Sequence, residues 1–174
     1  LRARHLLRIL RLTRDTKPRT MLDGQPVLLL CSNNYLGLAN HSRLMEAARN
    51  TLEEYGTSSS ASRLVSGNLA LHGQLEKQVA KWIGTEAALV FNSGYQANIG
   101  VISALIQEND LILSDELNHA SLIDGCRLSR AQIGIFRHAD PQHLESLLME
   151  KSKAGRARKK FIVTESVFSV DGDL

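Results

Sequence analysis

The sequence predicts an α/β protein of three layers, a mostly parallel sheet with helices on both faces. Two patterns predict it. Short apolar runs that lack polar alternation, Ala87–Phe91, Leu111–Leu113, Ile133–Phe136 and Phe161–Thr164, read as strands buried on both faces. Stretches with apolar residues at helical spacing separate them, and strands alternating with helices pack as a parallel sheet with crossover helices. The composition permits a core of this kind: 174 residues, 43% apolar and 22% charged, with 12 Gly and 3 Pro.

Taken in order, Arg2, Arg4, Arg8 and Arg11 among Leu6, Leu7 and Leu10 predict an amphipathic N-terminal helix. Asp23-Gly24 predicts a turn, and Val27–Cys31 a short buried strand. Leu44, Ala48, Leu52 and Tyr55 share one helical face, with Gly56 as the left-handed residue that ends the helix. Residues 57–67, hydroxyl-rich and aperiodic, read as an ordered loop. Leu71, Leu75, Val79 and Trp82 mark the inward face of a helix ending at Gly84. After the first central strand come helices over Tyr95–Ile106, Ala120–Leu128 and Pro141–Glu150. The last has Asp140 as N-cap, Pro at its first position and Leu144, Leu147 and Leu148 inward.

The net charge of +3 is segregated. Residues 1–19 hold seven Lys/Arg against Asp15, and residues 151–160 six with no acid, whereas the middle of the chain is acidic. No basic stripe interleaved with aromatics crosses the expected core, so nucleic-acid binding is not expected. No apolar run approaches the roughly 18–20 residues of a spanning helix, and the chain reads as cytoplasmic with no membrane partner. Cys31 and Cys126 form no C-x-x-C pair and read as ordinary thiols.

In parallel sheets ligands bind beyond the carboxyl ends of the strands, so chemistry is sought there. At Asn92-Ser93-Gly94-Tyr95 a strand passes into a helix. Unpaired N–H groups and the helix dipole would favour a phosphate, and Gly94 has no side chain to hold it off. The competing reading is a plain turn with a Ser cap. At Asn118-His119, beyond the next strand, an imidazole could stack on a planar heteroaromatic ring and exchange protons at its substituents, or simply be structural. A His119–Cys126 nucleophilic pair lacks a third group to orient it. Asp171 and Asp173 form a D-x-D that reads as an acidic turn, and no metal is expected.

Five ordered blocks then carry a resemblance: Cys31-Ser-Asn-Asn-Tyr-Leu-Gly-Leu38, Ser62-Arg-Leu-Val-Ser-Gly67, Asn92-Ser-Gly-Tyr-Gln-Ala-Asn98, Asn118-His-Ala-Ser121 and Glu165-Ser-Val-Phe-Ser-Val-Asp-Gly-Asp173. Together they resemble the α-oxoamine synthase family, pyridoxal-phosphate (PLP) enzymes of the aspartate-aminotransferase-like fold type I. The resemblance implies that residues 1–37 are an N-terminal helix-and-strand arm and 38–174 the first part of the PLP-binding large domain, incomplete at the C-terminus. It implies that Ser93, Gly94 and Tyr95 help hold the cofactor phosphate, that His119 stacks on its ring and is catalytic, and that Ser169 bonds its phenolic oxygen. Arg8 and Asn33 match substrate-contacting positions, and Glu165 stands one step behind the cofactor. The family's Schiff-base lysine matches none of the seven lysines, so the 174 residues alone are expected to be inactive.

The implied reaction joins an amino acid to an acyl-CoA with decarboxylation, in a homodimer. Gly94-Tyr95-Gln96 favours the biotin-pathway member, which takes L-alanine and pimeloyl-CoA or its carrier-protein equivalent, over the member that takes glycine and acetyl-CoA. Ser58-Ser59-Ser60 departs from the Gly-rich form usual in both. A reading from another class is a non-catalytic fragment or interaction module.

Overall fold

A computed structural model describes residues 7–154, 157–168 and 172. Ser169, Asp171 and Asp173 lie outside the described residues. The chain divides into two compact units, Leu1–Ala70 and Leu71–Leu174.

In the first unit, strands β1 (Arg19–Leu22) and β2 (Gln25–Leu28) form an antiparallel hairpin. Its two-residue turn, Asp23-Gly24, has φ of 50° and 81°, the geometry that matches strand twist and that Asp-Gly favours. The strand expected at Val27–Cys31 is therefore shifted toward the turn, because register is set from the turn outward, and Leu30 is exposed. The expected N-terminal helix does not form in its described part. Residues 7–12 are non-helical and exposed, and Thr13 bridges Leu22. The Leu12 N–H donates to Asp23 Oδ1 at 2.9 Å and the Asp23 N–H to the Leu12 carbonyl at 2.9 Å. The segment thus takes its hydrogen bonds from the hairpin end, and its leucines find no apolar surface that would support a helix. A short 3-10 turn, Leu38–Asn40, leads into helix α1 (Ser42–Tyr55), which ends at Gly56 with φ of 75° as the sequence predicts. In the following loop, a Cβ on Gly67 would lie 1.9 Å from the Ala61 carbonyl oxygen, so only glycine fits.

The second unit carries the parallel sheet. Helix α2 (Ala70–Ile83), whose last turn closes onto Gly84, is followed by α3 (Gly94–Leu105), β3 (Leu111–Asp115), α4 (Ala120–Leu128), β4 (Gln132–Phe136), α5 (Pro141–Ala154) and β5 (Lys160–Val163). Strand order is β4-β3-β5, all parallel. Central β3 is buried at every residue, which explains its lack of polar alternation. On one face Ile112 packs with Ile102, Ile106, Cys126 and Ala131, and on the other Leu111, Leu113 and Phe136 pack against Leu144, Leu147 and Leu148 of α5. These are the three layers expected.

Two expectations fail in this unit. Ala87–Phe91 pairs into neither sheet; its Val90 N–H instead donates to Glu76 Oε1 at 3.0 Å. An apolar run becomes a strand only where a partner edge is offered, and none of the described strands offers one to it. On α2 the expected inward face is covered only in part: Leu71 and Val79 are half-buried, whereas Trp82 is 84% and Leu75 49% exposed.

Candidate cofactor site

Two helix starts build the site. Ser93, extended at φ −154° and ψ 156°, caps α3: its Oγ accepts from the Gln96 N–H at 3.2 Å. The Ala97 N–H goes to the Ser93 carbonyl, which leaves the Gly94 and Tyr95 N–H groups as donors with no intrahelical partner. A Cβ built on Gly94 would meet nothing within 4 Å, so the space in front of this helix end is open. Such a terminus suits an anionic oxygen cluster.

His119 caps α4. Its Nδ1 accepts from the Ser121 N–H at 3.1 Å and lies 2.7 Å from Ser121 Oγ. The residue is exposed, so its ring stands outside the core. Glu165, just beyond β5, accepts the His119 backbone N–H at 2.5 Å. The loop that carries His119 is fixed from below by Asn118, whose amide donates to Ser114 Oγ at 2.9 Å and to the Val163 carbonyl at 2.7 Å. The imidazole thus leaves the C-terminal end of the sheet from a base that ties β3 to β5.

The two helices are also braced to each other. Tyr95 OH donates to Asp124 Oδ2 at 2.6 Å, and the Asn98 amide donates to Ser121 Oγ at 2.9 Å. The bond to the Asp124 carboxylate holds the Tyr95 phenol above its ordinary range. Gly125 allows the close approach, because a Cβ there would sit 3.0 Å from Ile102 Cδ1 and 3.2 Å from the Asn98 carbonyl. The anion-accepting end of α3 and the imidazole of α4 therefore belong to one packed pair, which can present a phosphate seat and a ring-facing group to one planar ligand.

Of the residues singled out in the sequence, Ser93, Gly94, Tyr95, His119 and Glu165 fall on this construction. Ser169 lies outside the described residues. Arg8 and Asn33 belong to the first unit, Arg8 exposed in the segment before the hairpin, and Asn33 exposed in the loop after β2, beside a shallow groove with Leu38 and Leu44. Cys126 is buried among Ile102 and Ile112, and burial pushes its thiol up, which disfavours the thiolate a nucleophile needs. No group of three metal-ligating side chains occurs among the described residues, nor a helix long and apolar enough to cross a membrane.

Sequence reasoning quoted Asn98, Asn118 and Ser121 inside motifs but gave them no task. Asp115 carries no motif that announces its role. It is 2% exposed, and its carboxylate takes the Leu117 N–H at 2.9 Å and His138 Nδ1 at 3.0 Å, while the His138 ring meets Phe168 edge-on at 4.4 Å. This cluster anchors the segment after β5.

Comparison with known proteins identifies relatives of the chain. The chain is 55% identical over 176 residues to the 8-amino-7-oxononanoate synthase of Geotalea daltonii, covering all of this chain and 44% of that protein. Among solved structures, Sphingomonas wittichii serine palmitoyltransferase superimposes with a TM-score of 0.83 at 35% identity, over 90% of this chain and 39% of that one. A serine palmitoyltransferase variant from S. paucimobilis with a bound PLP–myriocin aldimine gives 0.87 at 29% identity, over 95% and 41%. The chain thus spans less than half the length of these relatives. The likeness bears out the fold type I architecture and the resemblance to α-oxoamine synthases. With the model for aminotransferase class I and II matching residues 25–174, the chain belongs to that family.

Proposed function

We propose that this chain is the cofactor-cradling part of a PLP-dependent α-oxoamine synthase that condenses L-alanine with pimeloyl-CoA, or its carrier-protein equivalent, in biotin synthesis. The observation that carries the reading is the braced pair of helix starts, with Gly94 open at one and His119 exposed at the other. The similarity to 8-amino-7-oxononanoate synthases supports the choice of substrates.

Bound here, PLP would supply an electron sink for the substrate α-carbon. The chain's own residues do the rest. The N–H groups of Gly94 and Tyr95, with the Ser93 cap, would hold the phosphate. His119 would stack on the cofactor ring and offer a nitrogen to the amino acid, and the Ser169 hydroxyl would donate to the cofactor's phenolic oxygen. Glu165 fixes the His119 backbone, so the imidazole keeps its place as substrates exchange. Arg8 and Asn33 would contact substrate. Holding the ring at three points restricts the reacting atoms to a productive arrangement. The Schiff-base lysine is not among these 174 residues, and the polypeptide alone does not complete a cycle. The full-length enzyme is a homodimer.

The test is release of free CoA thiol by full-length protein loaded with PLP, with L-alanine, glycine or L-serine offered against pimeloyl-CoA, acetyl-CoA and palmitoyl-CoA. L-Alanine with pimeloyl-CoA is the expected best pair. A preference for glycine with acetyl-CoA, or for L-serine with palmitoyl-CoA, would reassign the substrates and leave the cofactor site standing.

A further inference from the structure

Only one arrangement of protons satisfies all the hydrogen bonds behind His119 at once. A backbone N–H is always a donor, so the one from Ser121, 3.1 Å from Nδ1, is met only when that nitrogen carries a lone pair, but it is the longer and weaker of the two contacts to the ring. The 2.7 Å contact between Nδ1 and Ser121 Oγ must then be a bond from the hydroxyl to the ring. A hydroxyl that gives its single hydrogen to Nδ1 can only accept from elsewhere, and the Asn98 amide, 2.9 Å away, supplies that donor. Turning the Asn98 amide over would place two acceptors on one hydroxyl hydrogen, so the relay fixes the amide as well. Ser121 is fully buried, which excludes water as a substitute partner.

We propose that Asn98 and Ser121 are positioning residues that hold His119 in the tautomer with its proton on Nε2. The relay runs from the Asn98 amide to the Ser121 hydroxyl to Nδ1, and crosses from α3 to α4. It leaves Nε2 as the nitrogen outside this network, a hydrogen-bond donor available to whatever lies against the ring. Because Asn98 stands one turn into the helix whose first residue is Gly94, the same helix seats the anion and sets the proton position of the imidazole. The functional part of this inference rests on the PLP reading above; the tautomer does not.

Histidine-selective 15N spectra of the full-length protein, assigned with His119→Asn, read the tautomer directly. The expected result is an Nε2–H signature for His119 in the unsubstituted protein. In Asn98→Asp the new carboxylate turns the Ser121 hydroxyl away, and in Ser121→Ala the hydroxyl is gone. In both, the remaining backbone bond no longer holds one form, and Nδ1–H intensity or averaging appears. An Nδ1–H form in the unsubstituted protein, or spectra unchanged in both variants, overturns the proposal. In the activity assay both variants should lose about tenfold in kcat with PLP content unchanged. Full activity in variants whose tautomer has shifted removes the catalytic role but keeps the relay. Inactivity of the unsubstituted protein with every substrate pair, at an intact Nε2–H signature, counts against the PLP reading alone.

Discussion

At the scale of the residue, several side chains act by accepting a backbone N–H at a helix start, and Asp140 shows what this does to a charge. Its Oδ1 takes the His143 N–H at 2.8 Å, and Arg137 Nη2 lies 2.8 Å from Oδ2. The capping bond from His143 holds its carboxyl below the ordinary value of 3.8; burial opposes it, and the Arg137 charge adds to the lowering. A carboxyl with a depressed folded pKa stabilises fully above its unfolded value, and that stability disappears as pH falls through the lower folded value. Urea midpoints of Asp140→Asn should therefore fall short of the unsubstituted protein at pH 7, and the gap should close below about pH 3.9. A gap independent of pH would show that the charge is idle. His119 uses the same capping geometry with an imidazole, so a structural device and a functional side chain coincide in one residue.

At the scale of the element, the legibility of the sequence followed where each element finds its partner. Helix α4 was readable to the residue, and Asp140 with Pro141 marked the start of α5, because caps and Pro act locally. The strands β3, β4 and β5 were readable because their neighbours lie within the described unit. Ala87–Phe91, equally apolar, stays unpaired for want of an edge, and the arginines and leucines before the hairpin could not announce that backbone bonds to Leu22 and Asp23 would replace a helix. Gly94 and His119 were legible as types at strand ends, whereas the Asn98–Ser121 relay needs two helices in contact and is invisible to spacing. Asn118 is the clearest inter-element tie, since one amide holds both Ser114 of β3 and the carbonyl of Val163 at the end of β5. Asn118→Leu removes both bonds and strands the carbonyl, which should cost about 2 kcal/mol in chemical denaturation and loosen His119 with it. An unchanged midpoint would show that the sheet end is held by other means.

At the scale of the whole molecule, these residues are, on the proposed reading, a cofactor cradle whose reactive lysine lies elsewhere. Lys17, Lys77, Lys81, Lys151, Lys153, Lys159 and Lys160 sit outside the family's lysine motif. Borohydride reduction of PLP-loaded full-length protein, followed by peptide mapping, should therefore find the pyridoxyl group on a lysine beyond this chain. Labelling of any of the seven would refute that. The central claim is that the start of α3 seats the cofactor phosphate, and Gly94→Asp addresses it most directly. Open space surrounds the position, and an acid in a helix's first turn favours the helix, so the fold should persist. The same carboxylate would repel a phosphate at the Gly94 and Tyr95 N–H groups. The dissociation constant of PLP from the full-length apoenzyme should rise at least about tenfold, which corresponds to roughly 1.4 kcal/mol, at an unchanged or higher melting temperature. PLP affinity that does not change would contradict the seat.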